Sequence, residues 1–128
     1  MKDADNQDNP FGAFAEQLAA EHLLTEGYNN VARNWRPKNS HLEVDIIARQ
    51  DDTIILAEVK ARGLDSDDPA DAVDEKKQRR LARAAERYLA CQPYDFFYRF
   101  DIITVTGDEN EYTLEHYPDA FLGPLVTY

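Results

Sequence analysis

The sequence predicts a mixed α/β domain built on one sheet, with its elements in the order α-β-β-β-α-β-β. Three observations lead there. Two helical stretches with apolar periodicity are separated by β-branched runs, which places helices against a sheet. A short polar turn, Gln50-Asp51-Asp52, separates two of those runs and marks a hairpin. The apolar run Phe96 to Thr106 reads as a strand covered on both faces.

Residues 1–10 hold three Asp, two Asn and a closing Pro10, and read as a flexible acidic tail. The remaining 11–128 read as a single domain, since 128 residues suit one core better than two. From Phe11 to Glu26, apolar residues recur at helical spacing and Gly27 supplies the stop. Val31 to Arg36 reads as a short strand ended by Pro37. The hairpin strands follow at His41 to Arg49 and Thr53 to Arg62. After an acidic loop, Asp68 is placed to cap a second helix, with Pro69 in its first turn and an end near Leu89. Gly107 to Asn110 turns into a last strand near Tyr112 to Tyr117.

Composition excludes several classes. Hydrophobic residues at 43% argue against wholesale disorder. No run approaches the roughly 18 apolar residues of a membrane span, and the N-terminal residues have no apolar signal core. The single cysteine, Cys91, offers neither an internal disulfide nor a zinc cluster, so a cytoplasmic setting is the expectation. The net charge of -11 argues against coating nucleic acid with the whole surface, but not against a local basic face.

The hairpin carries the chemistry. Alternation puts Glu43, Asp45 and Ile47 on one face and Leu42, Val44 and Ile46 on the other. On the next strand, Leu56, Glu58 and Lys60 share a face opposed to Ile55, Ala57 and Val59. A two-residue turn at Asp51-Asp52 sets Asp45 opposite Glu58, and Glu43 opposite Lys60. Directly opposed Cβ atoms are about 4.5–5.5 Å apart. Two carboxylates that close repel unless a cation or proton lies between them. Mg²⁺ favours one or two carboxylates, water and phosphate oxygens. Lys60 would point into the same space, so the spacing fits metal-assisted phosphodiester hydrolysis. The same spacing also fits an ordinary Glu43–Lys60 cross-strand ion pair beside a solvated edge.

Glu16 has Gly12, Ala13, Ala19 and Ala20 as its helical neighbours, a groove of small residues that another element can approach. A carboxylate there needs a partner: either the acidic hairpin and its cation, or an arginine such as Arg33, Arg36 or Arg99.

Between Lys76 and Arg87 stand six basic residues and one acid. Lys76, Arg79, Arg80, Arg83 and Arg87 fall within about 100° of helical arc, along roughly 16 Å. The stripe fits a phosphate backbone; it also fits a solvated face paired with Asp71, Asp74 and Glu75. His22, His41 and His116 show no metal-ligand spacing. Trp35 reads as a core or rim residue, and Arg99 and Asp101, on one side of a strand, as paired with each other or with third groups.

Taken together, Gly12-x-x-Ala15-Glu16, Arg33-Asn34-Trp35-Arg36, Leu42-Glu43-Val44-Asp45-Ile46-Ile47 and Ala57-Glu58-Val59-Lys60-Ala61-Arg62 resemble the bacterial YraN-like family. Ala72-Val73, the Lys76-to-Leu81 segment, Tyr88-Leu89, Arg99-Phe100-Asp101 and Asp119-Ala120-Phe121 continue the match. That family is placed in the PD-(D/E)XK nuclease superfamily, with archaeal Holliday-junction resolvases as relatives. The resemblance implies a restriction-endonuclease-like core and a Mg²⁺- or Mn²⁺-dependent nuclease acting on DNA, including branched or junction DNA. It implies that Asp45 and Glu58 are the metal-binding acids, Lys60 the superfamily lysine and Glu16 the acid of the first helix. The Val59 carbonyl is then a further expected ligand, and Glu43 an accessory acid of less defined role. The Lys76–Arg87 stripe would hold phosphates, and paired cuts in a junction would call for a homodimer. Ala15 and Leu42 stand where the family usually has glycine, adding bulk that bears on substrate access. The rival reading is a non-catalytic nucleic-acid- or protein-binding module on the same fold.

Overall fold

A computed structural model describes residues 10–63 and 74–121. Helix α1 (Pro10–Thr25) is followed by strands β1 (Asn29–Trp35), β2 (Val44–Gln50) and β3 (Thr53–Arg62), helix α2 (Glu75–Ala90), and strands β4 (Phe97–Gly107) and β5 (Tyr112–Phe121). The five strands form one sheet in chain order. β3 and β4 run parallel, and the other neighbours pair antiparallel. The parallel pair needs a crossover connection, and α2 lies within it. This is the mixed α/β architecture and element order that the sequence predicts.

The two helices cover opposite faces. On one, Ala15, Ala19, Ala20 and Leu23 of α1 pack with Ile46, Ala48, Ile55, Ala57, Val59, Ile103 and Val105. On the other, Leu81, Ala84 and Ala85 of α2 pack with Val44, Ile47, Ile54, Leu56, Phe100 and Ile102. Helix α1 ends as expected at Gly27, whose φ of +95° suits glycine. There the Tyr28 N–H reaches back to the Leu23 carbonyl at 2.9 Å. At the β4–β5 turn Gly107 has φ of +125°, and a Cβ there would stand 2.3 Å from the Glu111 carbonyl oxygen.

The hairpin register is the expected one, with Gln50 opposite Thr53 and Ile46 opposite Ala57. Three expectations need correction. Strand β2 begins at Val44, not His41, so Glu43 precedes the strand. The described α2 begins at Glu75: Asp74 has extended backbone and caps the helix, its carboxylate accepting from the Lys77 N–H at 2.9 Å. An uninterrupted helix from Asp68 is therefore excluded; Asp68, Pro69, Asp71, Ala72 and Val73 lie outside the described residues, as do residues 1–9 of the tail.

The third correction concerns alternation. Val44 packs on the α2 side and Ile46 on the α1 side, although a regular strand would give both one face. The partner strand changes face at the same place: Trp35 packs on the α2 side, while Arg33 reaches Glu16 of α1. Between them Asn34 has φ of +56°, a left-handed conformation that asparagine tolerates better than most residues. The register Arg33 to Ile46 and Trp35 to Val44 places Asn34 opposite Asp45. Both strands thus switch faces at one cross-strand pair, and that pair contains the first hairpin acid.

Candidate metal and phosphodiester site

Continuing the hairpin register by one residue sets Asp45 opposite Glu58. The regular ladder stops just short of it. Instead, Asp45 Oδ2 accepts from the Val59 N–H at 2.9 Å, which aims the carboxylate at β3. Burial and the neighbouring Glu58 charge push the Asp45 pKa well above the usual carboxylate range, and Glu16 adds to the effect. The Val59 hydrogen bond and Lys77 act in the opposite direction. Burial and Lys77 lower the Lys60 ammonium pKa, against the pull of Glu58 and Asp45. Glu16 and Lys77 both act electrostatically on Asp45, and Lys77, Glu58 and Asp45 all act on Lys60. Helix α1, strands β2 and β3 and helix α2 therefore converge on one acidic centre.

Glu16 is 1% exposed, and its Oε1 lies 3.5 Å from the Arg33 guanidinium. Of the candidate arginines, Arg33 is thus the partner; Arg99 instead makes a forked pair with Asp101 at 2.8 Å, as the sequence suggested. Glu43 binds Arg36 at 3.0 Å ahead of β2. Trp35 packs edge-on against Tyr88, a rim role rather than an exposed platform.

Sequence reasoning missed Lys77. Its Nζ lies 2.5 Å from Glu58 Oε2, and Glu58 is buried. The signal was available: Lys77 stands four and seven residues before Leu81 and Ala84, at the head of the apolar face of α2. It also missed two neutral groups. Among the described residues, the buried side-chain oxygens without a hydrogen-bond partner are Glu16 Oε1, Asn34 Oδ1 and Thr104 Oγ1. Each belongs to the borders of the same centre. Glu16 acts on Asp45, Asn34 is opposite Asp45, and Thr104 is the β4 partner of Lys60. Glu16 Oε1 faces Arg33, which leaves Asn34 Oδ1 and Thr104 Oγ1 as buried oxygens with no partner among the described residues, and buried polar atoms in folded proteins are nearly always partnered.

The residues fit a hard divalent ion of a particular kind. The available donors are oxygens, and the Lys77 ammonium offsets part of the charge of the two acids. Among the described residues, however, no three His, Cys, Asp or Glu side chains form a closed metal-binding group. The fit is to an ion held by two carboxylates and completed by water or substrate oxygens, the mode magnesium favours.

The basic stripe divides. Lys76, Arg79, Arg80, Arg83 and Arg87 are all exposed. Arg79 is held by Glu75 at 3.7 Å, whereas Arg80, Arg83 and Arg87 line a cleft of about 630 Å³ against Asn39, Ser40, His41 and Leu42. A separate network lies on the α1 face. Asp101 binds Arg99, His116 Nε2 at 2.7 Å and the Asp119 N–H, and His116 meets His22 at 3.1 Å. The two histidines are 94 residues apart, beyond the reach of spacing arguments. No helix among the described residues is long and apolar enough to cross a membrane.

Comparison with known proteins agrees with the resemblance seen in the motifs. The profile of "Uncharacterised protein family UPF0102" matches residues 15–105. A UPF0102 protein of Parabacteroides distasonis is 40% identical over 117 residues, covering 91% of this chain and 95% of the relative. One from Phocaeicola vulgatus is 38% identical over 118 residues, covering 91% and 96%. One from Nitratidesulfovibrio vulgaris is 44% identical over 114 residues, covering 86% and 82%. The matched span contains Glu16, Asp45, Glu58, Lys60 and Lys77, and the chain belongs to the YraN-like family UPF0102.

Proposed function

We propose that this protein is a Mg²⁺- or Mn²⁺-dependent nuclease that hydrolyses phosphodiester bonds of DNA, with branched DNA among its substrates. The observation that carries the reading is the convergence of Asp45, Glu58, Glu16, Lys60 and Lys77 on one centre, with the unbonded buried oxygens of Asn34 and Thr104 beside it. Asp45 and Glu58 would hold the ion, with the Val59 carbonyl as a further donor and Glu16 completing the acidic wall. A bound divalent ion would polarise the phosphate and lower the pKa of an attacking water. Lys60, half-buried with its proton held less tightly than usual, is suited to orient that water or relay its proton. Lys77 pairs with Glu58, and its ammonium is placed beside the acids where a substrate phosphate would approach. The exposed arginines of α2 supply phosphate contacts that position rather than specify. Paired incisions across a junction would require two copies of the chain.

The second reading, a non-catalytic nucleic-acid-binding module, draws on the Lys77–Glu58 pair itself, which satisfies one acid without a metal. One experiment separates them. Purified protein is incubated with duplex, single-stranded and four-way-junction DNA plus Mn²⁺, alongside Asp45→Asn and Lys60→Ala. The nuclease reading expects cleavage by the wild type alone. Salt-sensitive binding without turnover in any variant supports the module instead.

A further inference from the structure

We infer that the cleft between α2 and residues 39–42 is a binding site for a short single-stranded segment of nucleic acid, next to the phosphodiester site. The inference deepens the proposed function and rests on it for its location, but the cleft has its own argument.

Its shape comes first. One wall is α2, presenting Arg80, Arg83 and Arg87; the other is Asn39 to Leu42. That second wall has a defined conformation. Asn39 adopts φ of +55°, and the Ser40 hydroxyl accepts from the Leu42 N–H at 3.0 Å. At about 630 Å³ the space falls in the range of roughly 300–1,000 Å³ typical of small-molecule clefts. A duplex keeps its bases turned inward and could meet the cleft only through its phosphates, whereas an unpaired strand can turn its bases into the space.

Its chemistry comes second. Three guanidiniums match phosphate oxygens in forked geometry, and guanidinium planes and His41 can stack on bases. Among the described residues none of the three is in an ion pair, in contrast to Arg79. Glu86 stands on the same wall. A carboxylate there repels a bare phosphate but accepts from the exocyclic amine of cytosine or adenine. Asn39 and Ser40 add further groups able to read a base edge. The lining therefore suits whole nucleotides better than a free anion.

Its position comes third. Residue 42 leads within three positions to Asp45. On α2, Lys77 at Glu58 precedes Arg80, Arg83 and Arg87, so the basic wall runs about 15 Å away from the acidic centre at 1.5 Å per residue. A strand lying along that wall would present a phosphate to Lys77 at one end. Leu42, three residues before Asp45, lines the cleft.

The test measures binding of fluorescent DNA to the full chain in chelator at low salt, so that no cleavage intervenes. Probes are a forked duplex with single-stranded arms, a blunt duplex of the same sequence, and unlabelled mononucleotide as competitor. Variants are Arg83→Ala/Arg87→Ala and, outside the cleft, Arg79→Ala, each checked for an unchanged thermal transition. The wild type is expected to bind the fork at least about 5-fold more tightly than the blunt duplex. The double variant should lose that preference, while Arg79→Ala weakens both probes equally. Equal affinity for fork and blunt duplex, or a preference that survives the double variant, would overturn the cleft assignment while leaving metal-dependent cleavage intact. Displacement of the fork by mononucleotide at micromolar concentration would overturn it in favour of a nucleotide site. Fork preference without any Mn²⁺-dependent cleavage would sustain the cleft and remove the nuclease reading.

Discussion

The Lys77 ammonium, carried by α2, lies 2.5 Å from Glu58 Oε2 on the central strand β3. Asp74 caps the helix through the Lys77 N–H, which fixes the first turn from which the side chain reaches over the sheet. A buried carboxylate beside another needs positive charge, and Lys77 provides it.

Removing that charge should separate stability from metal affinity. Lys77→Met leaves Glu58 buried without its ammonium partner, so the metal-free variant should melt lower, by about 3–6 °C. The same change removes a competitor for Glu58 and a repulsive charge, so Mn²⁺ should bind roughly 3- to 10-fold more tightly. Calorimetric titration and thermal melts check both signs.

Asp45 predicts the opposite change in stability. Its pKa is raised in the fold, so ionisation costs more in the native than in the unfolded chain. This stability is present below the ordinary value of 3.8 and is lost as pH rises toward the folded value. Asp45→Asn removes the charge and can still accept from the Val59 N–H. In chelator at pH 7 it should therefore raise the melting temperature by about 2–5 °C, while abolishing stabilisation by Mn²⁺.

The α1-side network contributes to the acid limb of the stability curve, against Asp45. Burial first, and then His116, lower the His22 pKa below its ordinary 6.5. The unfolded chain therefore takes up that proton first, and stability falls as pH drops through about 6.5. Burial alone would raise the Asp101 pKa, but bonds from Arg99, His116 and the Asp119 N–H outweigh it and hold the carboxyl below 3.8. Its contribution is present above that value and is lost below it. Urea unfolding from pH 8 to pH 3 should show both declines, and His22→Asn should remove the first.

The face switch at Asn34 gives a backbone prediction. Glycine accepts a φ of +56° without strain, whereas a β-branched residue does not. Asn34→Gly should change stability by less than about 1 kcal/mol, and Asn34→Val should cost about 1–3 kcal/mol. Paired denaturation curves read the difference.

Much of this arrangement was legible in the sequence because local physics fixed it. A two-residue turn leaves one register, which brought Asp45 to Glu58. Small neighbours around Glu16 foretold a buried acid, and the Arg99–Asp101 spacing put both on one side of a strand, where mutual pairing was one of two options. The face switch was hidden because Val44 and Ile46 are both apolar and satisfy either side of the sheet. Lys77 was hidden because the helix start was assigned to Asp68 and Pro69 instead of Asp74, which drew attention to the exposed stripe. The His22–His116 contact depends on α1 and β5 meeting across the fold, and no short-range pattern records that.

The most direct test is a crystal structure of the protein soaked with Mn²⁺, using anomalous scattering to locate the ion. The account predicts a peak bridging the Asp45 and Glu58 carboxylates, with the Lys77 ammonium displaced from Glu58 Oε2. A soaked crystal with Lys77 still seated on Glu58, and no manganese between the two acids, would contradict it.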